Sequence, residues 1–144
     1  MAAKEGIPLQ LHVEGESDET YGDLAKMADK AGLARERLVR HYAPPRVDAA
    51  FTHGLTPSVL AGSGSIDELM STFEASSHGF MLETDYMDDP RRPGAVLGPK
   101  TVPKRTRQLL EAGLDAVPYT TLPLPTNYTL YVAQCQPSDD HTNY

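Results

Sequence analysis

This chain is short of cysteine, of positive charge and of long apolar runs. Cys135 is the one cysteine among 144 residues. A single thiol cannot close an internal disulfide, and a reducing, cytoplasmic setting is the expectation. Lys and Arg number 13 against 20 Asp and Glu, a net charge of −7. That balance argues against passive adhesion to nucleic acid or an anionic membrane. It leaves a nucleic-acid substrate open, because a local basic patch or bound metal ions can invert the sign at a site. No apolar run reaches bilayer length, and the opening Met1-Ala2-Ala3-Lys4-Glu5-Gly6 has no apolar signal core behind its charge.

What is present is an alternating pattern. The hydrophobic fraction of 40% and charged fraction of 23% suit one folded domain with a modest core. Residues 7–13 read as a strand. Ser17-Asp18-Glu19-Thr20 then supplies a cap and acids for a helix in which Tyr21, Leu24, Met27, Ala28 and Ala31 recur at helical spacing until Gly32. Residues 37–42 read as a second strand, broken by Pro44-Pro45, and 47–53 as a short helix. Residues 56–60 read as a third strand. Ser65-Ile66-Asp67-Glu68 is a capping-box pattern, with Ser65 as the cap and Glu68 three places on. Residues 80–84 read as a fourth strand, and Thr101 caps a last helix reaching Gly113. The expectation is an α/β fold of about four βα units with parallel strands over residues 1–115. The proline-scattered stretch 116–144 is expected to be an irregular tail, with a short extended piece at 128–133.

Strands separated by crossover helices run parallel and bring their C-terminal ends to one edge. Three apolar runs end in polar residues there: Leu9-Gln10-Leu11-His12, Leu38-Val39-Arg40-His41, and Phe80-Met81-Leu82 followed by Glu83-Thr84-Asp85. Two imidazoles and a carboxylate on one edge are the donor set of a divalent metal site. Each alone reads more plainly as a strand-end or turn residue; it is their convergence that counts.

The segments Gln10-Leu11-His12-Val13-Glu14, Val39-Arg40-His41-Tyr42-Ala43-Pro44-Pro45, Leu82-Glu83-Thr84-Asp85-Tyr86-Met87-Asp88-Asp89-Pro90-Arg91-Arg92-Pro93-Gly94 and Gly98-Pro99-Lys100-Thr101-Val102-Pro103 resemble the TatD-related metal-dependent hydrolases of the amidohydrolase superfamily. The resemblance implies a partial TIM-type (β/α)8 barrel, its second half. It implies a hydrolase acting on phosphodiester bonds, DNA being the expected partner, with one or two divalent ions (Zn, Mg or Mn). It implies His12, His41 and Asp85 as metal ligands and Asp85 as the catalytic base. The family's His-x-His and strand-borne bridging Glu have no counterpart here, since the five histidines stand at 12, 41, 53, 78 and 141. Hence the alternative expectation: an inactive half-barrel that only binds, as a homodimer or with a missing N-terminal half.

Arg91, Arg92 and Lys100, with Lys104, Arg105 and Arg107, form the one basic region. It reads as a solvated loop and helix face, or more sharply as a phosphate clamp in which Arg91, Arg92 and Lys100 hold substrate. Glu83 reads as structural, pointing away from the face that Asp85 serves. Asp88 and Asp89 are expected to form the turn before Pro90, His53 to suit a helix C-terminus, and His78 and His141 to be exposed. Cys135 has no neighbouring His to make it a nucleophile.

Overall fold

The computed structural model describes residues 2–13, 17–76, 79–86, 91, 97–114 and 132–133. Its elements run α1 (Ala2–Glu5), β1 (Leu9–His12), α2 (Asp18–Ala31), β2 (Leu38–Ala43), α3 (Ala49–Thr52), β3 (Thr56–Leu60), α4 (Ser65–Thr72), β4 (Phe80–Glu83), α5 (Thr101–Glu111) and β5 (Val132–Ala133). The strands form one sheet in the order β1-β2-β3-β4-β5. β1 to β4 pair parallel, and β5 adds antiparallel to β4. Four parallel strands alternating with helices make an α/β fold consistent with part of a TIM-type barrel. β5 falls inside the stretch 128–133 where an extended piece is expected; the rest of 116–144 lies outside the described residues.

Local chemistry explains the boundaries. Ser17 accepts the Thr20 N–H at the start of α2, and Gly32 ends that helix in the left-handed region at φ 68°. Asp48 caps α3 by accepting the Phe51 N–H at 2.9 Å. Two expected caps are corrected. Ser65 is the first residue of α4, after Gly64, and its hydroxyl donates back to the Gly62 carbonyl at 2.8 Å. Thr101 likewise lies inside α5, which Lys100 precedes. In both cases a tight turn before the helix sets its start one residue early.

Alternation along the strands sorts side chains onto two faces. One face packs against the helices in two clusters. Val59, Phe80 and Leu82 meet Leu69, Phe73, Val102 and Leu109. Leu38 meets Tyr21, Leu24, Ala28 and Phe51. Burying each such side chain stabilises the fold by about 1.5–3 kcal/mol. Arg40, wholly buried, lies on this face with its guanidinium 4.7 Å from the Tyr21 ring centre. Burial pushes the Tyr21 hydroxyl above its ordinary pKa, and the adjoining Arg40 pulls it only part of the way back.

The opposite face takes the residues of the other parity, His12, His41, Ser58 and Glu83 among them. Val39 and Met81 are buried on that same face, so its polar groups stand beside apolar ones. Among the described residues no helix is long and apolar enough to cross a membrane.

Candidate metal centre

β1 and β2 pair in register, Leu9 with Leu38 through to His12 with His41. His12 therefore stands level with His41, and their imidazole rings lie with centres 5.4 Å apart, tilted by 50°. Asp85 stands two residues beyond β4, at φ 49°. This left-handed turn swings its carboxylate back over the sheet edge, with Oδ1 3.3 Å from His41 Nε2. His12 is exposed, whereas the His41 side chain is 21% exposed and that of Asp85 36%.

Glu83 requires a correction. A strand period of two places residues 83 and 85 on the same side, not on opposite ones. The Glu83 side chain, 10% exposed, reaches His41 Nδ1 at 2.8 Å. It also accepts the Tyr42 N–H at 2.9 Å and the Ser58 hydroxyl. One imidazole thus lies between two carboxylates. The signal for Glu83 was its even spacing from Asp85, and for Ser58 a hydroxyl at the centre of a buried strand.

The backbone around this cluster is unusual. Tyr42 has φ 55°, and the β2–β3 register shifts between Arg40 and Ala43. Of the three side-chain-bearing residues with positive φ among those described, Tyr42 and Asp85 both touch the cluster; the third is His53. Such conformations raise the energy by about 1–3 kcal/mol each and concentrate at functional sites. Here they turn the Tyr42 N–H onto Glu83 and bring Asp85 to His41.

His41 Nε2 and Asp85 Oδ1 are two donors of the kind a divalent cation takes. An ionised Glu83 only accepts, so the Nδ1 beside it carries a proton, and in a singly protonated ring Nε2 is then a lone pair. That lone pair confronts a carboxylate oxygen at 3.3 Å. Two acceptors so close repel, unless the ring takes a second proton or a cation lies with both. An imidazole nitrogen, a carboxylate oxygen and a second imidazole nearby suit zinc or manganese. Among the described residues, however, no group of three or more His, Cys, Asp or Glu stands in metal-holding arrangement. His41 and Asp85 meet, and His12 stands a ring contact away.

Arg91 and Lys100 are exposed. Arg105 turns inward, its Nε donating to the Ala61 carbonyl at 3.3 Å and Nη1 to Gln108 at 2.6 Å. His53 ends α3 and pairs through Nε2 with Asp18 at 2.9 Å. Arg92, His78, Asp88, Asp89, Cys135 and His141 lie outside the described residues.

The family model for TatD related DNase matches residues 1–121, which takes in every element from β1 to α5 and the whole His–Asp edge. This chain belongs to the TatD-related DNase family. It is also 37% identical over 109 residues to the uncharacterised protein MJ1127 of Methanocaldococcus jannaschii. That match covers 76% of this chain and 37% of the relative, so the TatD-related chain spans little more than a third of the length of the curated relative it matches. No solved structure matches it.

Proposed function

We propose that this chain carries part of a metal-dependent phosphodiesterase site, with His12, His41 and Asp85 as the groups that hold a divalent ion. The observation that carries the reading is His41 Nε2 set against Asp85 Oδ1 at 3.3 Å, while the other ring nitrogen is taken by Glu83. Membership of the TatD-related DNase family supports DNA as the substrate class. A divalent ion bound there supplies acidification of water and polarisation of the scissile group.

The chain's own residues do the rest. His41, fixed by Glu83, presents Nε2 as a neutral donor. Asp85, partly exposed at the sheet edge, accepts a proton from water on its solvent side. Arg91, Arg92 and Lys100 supply cationic groups for phosphate oxygens.

Calorimetric titration of the purified chain with Zn²⁺, Mn²⁺ and Mg²⁺, followed by a DNA cleavage assay with and without chelator, tests the reading. Saturable binding of at least one ion, weakened in Asp85→Asn, is the expected result. A chain that binds none of the three refutes it.

A second reading has its own support. Among the described residues no three metal-capable side chains are gathered, which favours a half-barrel that binds without catalysing. Metal binding without cleavage, together with a dimer in a sizing experiment, would favour that alternative.

A further inference from the structure

The proposed metal site gives Glu83 no ligand role, yet Glu83 is the best-held side chain at the sheet edge. We propose that Glu83 is the positioning residue of this site: it locks the His41 ring in the tautomer that turns Nε2 towards Asp85, and Ser58 and the Tyr42 backbone hold Glu83 in turn. The inference rests on the metal-site reading and adds to it the group that orients the imidazole.

Three donors from two neighbouring strands converge on one carboxylate from a third. Tyr42 N–H reaches Oε1 at 2.9 Å, the Ser58 hydroxyl reaches Oε2, and His41 Nδ1 lies 2.8 Å from the carboxylate. Ser58 is 2% exposed and the Glu83 side chain 10%. An amide N–H can only donate, and the hydroxyl also donates here, so Glu83 acts as acceptor throughout. The third contact then fixes the proton on Nδ1 and leaves Nε2 as the lone pair.

A carboxylate serving merely as a staple between strands would need no distortion. Here β2 gives up its regular register between Arg40 and Ala43, and Tyr42 sits at φ 55°. The product of that distortion is the Tyr42 N–H aimed at Glu83. Orienting groups of this kind behind a metal-binding histidine typically change metal affinity by about 10–100-fold.

The test combines two measurements on the full chain: the His41 tautomer, from long-range ¹H–¹⁵N NMR without metal, and Zn²⁺ affinity from calorimetry. In the wild type the ring should carry its proton on Nδ1. Glu83→Gln keeps the shape but can donate as well as accept, so it should admit the Nε2–H tautomer and weaken Zn²⁺ binding about 10–100-fold at an unchanged thermal midpoint. Ser58→Ala should keep the tautomer and weaken binding roughly fivefold. A wild-type ring protonated on Nε2, or a folded Glu83→Gln with unaltered tautomer and affinity, overturns the proposal. Should Glu83→Gln unfold, Ser58→Ala decides, and an unaltered affinity there overturns it. An Nδ1–H ring in a wild-type chain that takes up no Zn²⁺ supports the lock and refutes the metal reading alone.

Discussion

Two histidine–aspartate pairs stand among the described residues, and the shorter one is the less interesting. His53 meets Asp18 at 2.9 Å, and His41 meets Asp85 at 3.3 Å. Each histidine lies at or beside a residue of positive φ. The His53 pair is more open, its side chains 36% and 67% exposed, and it ties the end of α3 to the start of α2. Its surroundings are a packing junction: Tyr21 against Phe51 at 5.0 Å, Arg46 over Phe51 at 4.7 Å, and Arg35 bridging Asp29 to the His53 carbonyl. His41 has a carboxylate at each nitrogen, a second histidine in register and a strained backbone beneath it. What distinguishes the two is whether both ring nitrogens are addressed and whether the backbone was bent to do it; separation alone ranks them wrongly.

The comparison is sharpest if substitutions at the two pairs move different observables. His41→Ala should abolish measurable divalent-ion binding, a fall of at least about a thousandfold by calorimetry, with the fold retained by circular dichroism. Undiminished binding would erase the distinction. Phe51→Ala should lower stability by about 3–5 kcal/mol in urea unfolding, by opening a cavity between Tyr21 and Arg46. Metal affinity of the folded fraction should stay as it was.

Asp48→Ala removes the α3 cap and should lower stability by about 0.5–2 kcal/mol. This residue also carries a pH signature. Burial would raise its carboxyl pKa, but the Arg46 guanidinium and the Phe51 N–H outweigh burial and hold it below its ordinary 3.8. A carboxyl depressed in the folded state contributes stability that is complete above 3.8 and disappears as pH falls through the lower folded value. Acid titration of unfolding should therefore show a steeper loss below about pH 4 in the wild type than in Asp48→Asn. Equal slopes would remove Asp48 from the account. The smallest effect belongs to Asp18→Asn, under about 1 kcal/mol by thermal unfolding and none on metal binding.

Much of this arrangement was legible in the sequence, and the failures have physical causes. Parallel βα units follow from short apolar runs separated by helical periods, and Ser17 and Gly32 bracket α2 as their chemistry requires. Parallel topology sets His12 level with His41; the contact between Asp85 and His41 needs the left-handed turn at Asp85 as well. Glu83 was misplaced through its parity, although a period of two sets it beside Asp85. Ser65 looked like a cap because its spacing to Glu68 is right; the turn through Gly62 claimed its hydroxyl first. Arg40 reads as a polar interruption of a strand, and nothing local announces that it is buried over Tyr21. The positive φ of Tyr42 is invisible in a residue type that ordinarily avoids it, whereas aspartate tolerates that region better.

The turned-out amide of Tyr42 also bears on how the molecule breathes. An N–H directed to a side chain cannot clamp β2 to β3, so the ladder is interrupted between Arg40 and Ala43. An interruption of this sort is a seam along which local opening starts. Deuterium uptake at the end of β2 should then be faster than at Leu38 and Val39 in the same strand. One strand would thus hold both a firmly paired start and a more readily opened end.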